Sequence, residues 1–274
     1  MNQPLPEHTC KSCGNLFHGY YCNVCGEKVL TARDRSFKTF LSNILMAITF
    51  ADSKFIKTLW WVMKRPGFIS KESAEGRTVK YVQPISLFFV LNLVYFLFPV
   101  IQLFNASLKT QLSAEYGVWI NEIVAHAMVK HSIIDINSFS IIYNQKTASL
   151  AKLMVMVFVV LGSLPLNFLY RKRNRYFSDH VGFMVELACF NLFVNAIMLT
   201  VLTTVLGLGH YLDELVLTFI FVSTNFYFLL RSGMVFYGER GWRLVVKSIV
   251  MLLFLKLALE IYRAILFFVT LAIL

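Results

Sequence analysis

Residues 84–104 read PISLFFVLNLVYFLFPVIQLF, an apolar run without a charged side chain, and its length decides the fold class. Crossing the hydrocarbon core of a bilayer takes about 20 apolar residues in a helix, with a range of ~17–25. Four more runs of this kind follow, at 148–170, 181–208, 215–237 and 244–274. The fourth is the least regular, because Arg231 interrupts it. The composition agrees. The 274 residues are 57% hydrophobic, with 26 Phe and six Pro, whereas a soluble domain is nearer ~45–50% apolar. The mean hydropathy is +0.64. The expected fold is an all-α polytopic membrane protein of about five transmembrane helices.

Net charge is +11, from 26 Lys and Arg against 15 Asp and Glu. Such an excess fits nucleic acid or an anionic membrane surface, and its distribution favours the membrane. Twelve of the basic residues precede residue 81, and most others lie between apolar runs. Arg171, Lys172, Arg173 and Arg175 follow the second run, and Arg231, Arg240, Arg243 and Lys247 separate the fourth from the fifth. The connection between the third and fourth runs carries Asp213 and Glu214 with no basic residue. Basic connections stay in the cytoplasm. Both termini are thereby oriented, amino end inside and carboxyl end outside. The first thirty residues lack the charged start, apolar stretch and small-residue cleavage site of a signal peptide, so the amino terminus is expected to remain cytoplasmic.

Three regions result: 1–30, 31–80 and 81–274, the last with an extracytoplasmic loop at 105–147. In 31–80, Phe37, Phe40, Leu41, Ile44, Leu45 and Ile48 recur at helical spacing. Asp52 is the expected N-cap of a second helix, on which Phe55, Ile56, Leu59, Trp60 and Met63 form an apolar stripe. Lys54, Lys57, Lys64 and Arg65 flank it, and Pro66-Gly67 stops it. Basic flanks with Trp suit a helix in the headgroup layer, and packing on the bundle end is compatible with that. Within the long loop, VWINEIVAHAMVKH has helical periodicity and predicts an amphipathic helix.

The front of the chain is of another character. Residues 10–26, CKSCGNLFHGYYCNVCG, hold two Cys-x-x-Cys-Gly knuckles separated by eight residues. In a reducing compartment such pairs bind metal in preference to forming disulfides. Cys10, Cys13, Cys22 and Cys25 supply the four thiolates of a tetrahedral structural zinc site, which leaves no open position for catalysis. Gly14 and Gly26 allow the turn that aims amides at the sulfurs. The apolar cover is scant, so the metal must supply most of the folding energy. A redox dithiol would need only one pair. Lys11 is the single cation of this stretch, which argues against nucleic acid.

A candidate intramembrane polar site consists of Lys256, Glu260 and Arg263, which share one helical face, together with Glu186 near the start of the third run. Charges cost about 2.5–3.5 kcal/mol each inside a membrane helix, so they face a bundle interior, a wet cavity or one another. An internal salt bridge that fixes packing is the plainer reading. Asn191, Asn195 and Asn225 suit interhelical hydrogen bonds. His180 with Glu186, near the cytoplasmic boundary, has the groups of a proton or metal site, while Glu122 and His126 have metal-capable i, i+4 spacing without a third ligand in register and read better as surface residues. Cys189 reads as a packed thiol. No phosphate-binding glycine loop, nucleophile elbow or His-Glu-x-x-His is present.

The order CKSCGNLFHGYYCNVCGEK, KTLW, KRPG and EGRTVKYVQP ahead of an apolar run resembles the bacterial family called domain of unknown function 3667. Gly76, Arg77, Tyr81 and Pro84 fall on its Gly-x-Arg…Tyr…Pro element. YFSDHVGFMVELACFNLF is similar to its aromatic-x-Glu-His segment, with Asp179 in place of Glu and Glu186 near the position of a missing helical His. Glu27 stands where the family has Gln. The resemblance is good over the first 100 residues and looser beyond. It implies a multi-pass protein of the bacterial inner membrane with a cytoplasmic zinc ribbon and no established activity. The leading expectation is a non-enzymatic scaffold whose partners are the bilayer and a protein, or a second copy of itself. The alternative is a transporter or lipid-handling protein using Lys256, Glu260 and Glu186. A wet cavity reaching those charges would favour transport, and paired charges would favour the scaffold.

Overall fold

The computed structural model describes residues 7–29, 53–97, 104, 107–112, 117–130, 135–173, 175–205, 207 and 214–274. The expected helix over Phe37–Ile48 and the Asp52 cap lie outside the described residues.

The chain is mostly helical, as the apolar runs require. A two-stranded antiparallel ribbon, β1 (Glu7–Thr9) and β2 (Leu16–His18), comes first, with Glu7 opposite His18 and Thr9 opposite Leu16. Two short helices follow, α1 (Ser53–Lys64) and α2 (Phe68–Ala74), then α3 (Pro84–Leu97). Next come α4 (Leu108–Leu112), α5 (Gly117–Lys130) and the long α6 (Ile136–Leu169). A third long helix begins as α7 (Phe177–Asn191), widens into a π-helical segment at Leu192–Met198 and ends as α8 (Leu199–Val205). Then come α9 (Glu214–Phe236) and α10 (Trp242–Ile273). Among the described residues, three helices are long and apolar enough to cross a membrane: Ile136–Leu169, Phe177–Val205 and Leu215–Phe236. They suggest a membrane protein. Helix α3 is a shorter apolar one, and α10 carries its charges spaced along its length.

Packing makes an up-and-down helical bundle. The largest contacts are α6 with α10, α6 with α7, α9 with α10 and α3 with α7. One continuous core joins Leu87, Phe88 and Leu91 of α3 to Val155 and Val159 of α6, Phe183 and Leu187 of α7, and Met251 and Leu255 of α10. A second cluster closes one end, where Leu108, Ile120 and Val124 meet Phe139, Tyr143 and Phe267. The carboxyl-terminal turn of α10 therefore sits with α4, α5 and the start of α6. The opposite end holds the ribbon, α1, α2 and the connections at 170–176 and 237–241. There Glu239 accepts from Arg173 Nη2 at 3.1 Å and from Lys247 Nζ at 2.9 Å. The basic connections thus gather at the ribbon's end of the bundle.

Two local departures from the sequence reading have clear causes. Helix α6 starts at Ile136, well before the apolar run at 148, because Asp135 caps it, accepting from the Asn137 and Ser138 amides at 3.2 and 3.0 Å. Much of the 105–147 loop is therefore helical, including α5 over the periodic stretch. Helix α1 is rotated relative to its apolar stripe: Phe55 and Leu59 pack half-buried against the core, but the innermost positions fall beside them. Thr58 and Val62 are buried, whereas Ile56 and Trp60 are exposed, with Lys64 lying over the Trp60 ring. A polar side chain wins the inner position because Thr58 Oγ1 has work there. It accepts from the Val82 amide at 2.9 Å and donates to the Lys54 carbonyl at 2.6 Å.

Candidate metal centre

The two knuckles are built alike. The Cys10 amide donates to the Asn15 carbonyl and the Gly14 amide to the Cys10 carbonyl, both at 2.8 Å. The Cys22 amide donates to the Glu27 carbonyl at 2.8 Å, and the Gly26 amide to the Cys22 carbonyl at 2.9 Å. Gly14 and Gly26 have φ of 77° and 73°, a region that side chains other than glycine's seldom enter. Each turn aims the next amide at a sulfur, Asn15 at Cys13 and Glu27 at Cys25.

All four sulfurs lie within 4.8 Å of one another, and none is in a disulfide. Cys10 and Cys25 Sγ are 3.5 Å apart, as are those of Cys13 and Cys22. A tetrahedral ion with bonds of about 2.3 Å would set sulfur–sulfur distances near 3.8 Å. The donor set and its spread therefore fit a metal ion. Among the described residues, this is the grouping of three or more ligand side chains that could hold one. The thiols ionise unequally. Burial pushes Cys22 up, but the Cys25 and Val24 amides and the neighbouring sulfurs outweigh it and hold that thiol down to about 6. At Cys25 the Glu27 amide favours the thiolate, yet burial and three adjacent sulfurs push it up to about 12. A divalent cation at the centre removes the repulsion that keeps the last proton on.

Glu27 joins this site to the bundle. Its backbone closes the second knuckle, and its carboxylate is buried against the segment before α3. It accepts from Thr78 N at 3.2 Å, Thr78 Oγ1 at 2.9 Å and Val79 N at 3.3 Å, and also from the Ser12 hydroxyl. The receiving loop is itself held, since Arg77 binds Glu72 through Nε at 2.9 Å and Nη2 at 2.5 Å and also pairs with Glu75. Between ribbon, α2 and the first turns of α7 lies a cavity of about 470 Å³, lined by Lys11, Lys28, Ser73, Ser178, Asp179 and Gly182 among others.

A second carboxylate makes a parallel clasp within the bundle. Glu186 is fully buried on α7 and accepts from the Gly67 amide at 2.9 Å, the Ser70 amide at 2.7 Å and the Ser70 hydroxyl. It satisfies the opening amides of α2, which would otherwise be left unpaired. Gly67 has φ of 81°, and a Cβ there would stand 2.8 Å from Ser232 Cα on α9. The Pro-Gly element therefore does more than stop α1, because it lets α2 fold back between α7 and α9.

The remaining candidate site residues fall in separate places. Arg263 Nη1 pairs with Glu260 Oε1 at 3.6 Å on α10, and Lys256 is exposed on the same helix. Glu186 is not brought to them, since its hydrogen bonds run to α2. Nor does it meet His180, whose Nδ1 is 2.7 Å from Tyr237 Oη. The asparagines do come together. Asn191 and Asn225 exchange two hydrogen bonds of 2.9 Å between α7 and α9, and Asn195 joins Asn191 at 2.8 Å and Thr224 at 3.0 Å. The buried thiol of Cys189 donates to the Pro84 carbonyl at 3.5 Å. Sequence reasoning missed Glu27 and Thr58 as docking groups. The one signal available was a carboxylate directly after a knuckle, in place of an amide.

These features define a helical protein of the membrane class with a four-cysteine ribbon clasped to one end of its bundle. Residues 52–96 match the model of a family described as Protein of unknown function (DUF3667), so the family resembled by the sequence is shown over that segment. The match spans α1, α2, the Gly76–Arg77 loop and α3, and so contains the residues gripped by Glu186 (Gly67 and Ser70) and the bundle residues gripped by Glu27 (Thr78 and Val79). No curated protein and no solved structure matches the chain.

Proposed function

We propose that the chain is a non-enzymatic scaffold of the bacterial inner membrane, whose zinc ribbon is held rigidly at the cytoplasmic face to receive a protein partner. The observation that carries this reading is the Glu27 clasp, which turns a small ribbon into a fixed platform. The ribbon presents Leu16, Tyr20, Tyr21 and Val24 to solvent, each more than half exposed. Exposed aromatic and aliphatic groups on a rigid support are what a protein partner, or a second copy of the chain, would bury. Zinc is the expected ion because four thiolates in a closed tetrahedron suit it and leave no position for substrate. In this reading the protein crosses the bilayer five times, through α3, α6, the α7–α8 helix, α9 and α10. Its ribbon end is cytoplasmic and Leu274 lies outside. The gathering of Lys and Arg at the ribbon end supports that orientation.

The transporter alternative needs its charges on one path. Glu260 paired with Arg263, Lys256 on the exposed side of α10 and Glu186 committed to α2 favour the scaffold. Copurification from native membranes tests the choice. The scaffold reading expects a stoichiometric protein partner or a dimer, lost when Tyr20 and Tyr21 become Ser. Substrate-dependent flux in proteoliposomes, abolished by Glu260→Gln, would replace it with the transporter.

A further inference from the structure

The cavity of about 470 Å³ beneath the ribbon is within the range of small-ligand sites. It exists because three different elements meet there with small side chains: Ser70, Ser73, Ala74 and Gly76 on one wall, and Ser178 and Gly182 on another. A Cβ built on Gly182 meets nothing within 4 Å, so the space is open above that helix. The ribbon supplies the roof, and with it Lys11 and Lys28.

Charge decides the class of ligand. Two carboxylates also line the space, each turned to neutral protein donors, so the net positive field comes from the basic residues around the cavity. Glu27 accepts from Ser12, Thr78 and Val79, and Asp179 accepts from the Tyr176 amide at 3.1 Å as part of the α7 cap. The Lys11 stem crosses Gly76, whose lack of a side chain leaves room for it, since a Cβ there would sit 3.2 Å from Lys11 Cδ. That packing carries the ammonium group into the cavity wall. Lys71, Arg171, Lys172 and Arg175 lie on elements at the same end of the bundle and add to the positive field.

We propose that this cavity binds a phosphate-bearing anion, gripped by Lys11 from the ribbon and by the Ser73 and Ser178 hydroxyls from the bundle, with Lys28, whose ammonium lies 6.0 Å over the Tyr21 ring, adding its charge to the lining. The ligand is either a lipid headgroup or a soluble phosphate compound, which present the same charge and acceptor oxygens. Lysine is a recurrent partner of such groups as a point charge. The site rests on the docked ribbon described above, because half of its wall is the ribbon.

The test uses the full chain in detergent, loaded with zinc, and two probes: inorganic phosphate and dihexanoyl phosphatidylglycerol. Calorimetry should show saturable binding of at least one probe. Gly182→Leu, which fills the space without a clash at Cβ, and Lys11→Gln should each weaken it roughly tenfold, at unchanged zinc content. Lipid binding without phosphate binding assigns the site to a headgroup, and the reverse assigns it to a soluble phosphate. Failure of both probes to bind, or equal binding by Gly182→Leu, overturns the proposal. Amide exchange at Thr78 and Val79 in the same sample separates the two readings. With those amides protected the cavity site falls alone, and with them unprotected the docked ribbon falls as well.

Discussion

Glu27 occupies the position where an ordinary reading of the knuckle asks only for something polar, yet it accepts from four donors on two segments. Hydrogen bonds to a charged acceptor contribute ~1.5–3 kcal/mol net, and orphaned donors cost more. Glu27→Ala should therefore speed amide exchange at Thr78 and Val79 about 30-fold or more, with zinc retained, whereas Glu27→Gln should have the smaller effect. Unchanged exchange in the alanine variant would remove the clasp. At Gly67, alanine meets both positive φ and the Ser232 backbone, so Gly67→Ala should lower the melting temperature in detergent by several degrees. Glu239 offers a pH test. Its hydrogen bond from Lys247, opposed by burial and aided by Arg173, holds its carboxyl below the ordinary value. Its folded pKa is depressed, so its contribution is present above the unfolded value of ~4.3 and is lost as pH falls through the folded one. Melting profiles of the native chain and Glu239→Gln should converge as acid is added and separate toward neutral pH.

At the scale of elements, the long helices were legible and their edges were not. Composition alone marks α6, the α7–α8 helix, α9 and α10, because a run of that length has few other uses. The start of α6 depended on one cap, so Asp135→Ala should cost about 1 kcal/mol and increase exchange over the first turns of that helix. The inward face of α1 was legible in part, through Phe55 and Leu59, whereas its innermost position was not, because two backbone partners hold Thr58 there. The π-helical segment at Leu192–Met198 left no pattern in the apolar spacing. It lies where Asn191 and Asn195 reach α9, and such widenings often mark a local demand of packing or function. A double-mutant cycle on Asn191 and Asn225 should give a coupling of about 0.6–2 kcal/mol, the range of interhelical hydrogen bonds in membranes. Zero coupling would mean that the geometry carries no energy.

For the molecule as a whole, the ribbon and the bundle are each readable from sequence, but their joining is not. Cysteine spacing announces a metal staple, and hydropathy announces helices across a bilayer. The bond between them runs from residue 27 to residues 78 and 79, a separation that no local pattern reports. The same holds for Glu186, whose charge stood out in the sequence while its partners at Gly67 and Ser70 did not. The central claim is that docking depends on the metal, because Glu27 closes a knuckle with its backbone and grips the bundle with its side chain. The direct measurement is amide exchange at Thr78 and Val79 in the full chain, with one zinc per chain and again after chelation. The account predicts that both amides are protected with zinc and lose that protection when the metal is removed, as they do in a Cys22→Ser, Cys25→Ser variant. Protection that survives chelation would contradict it.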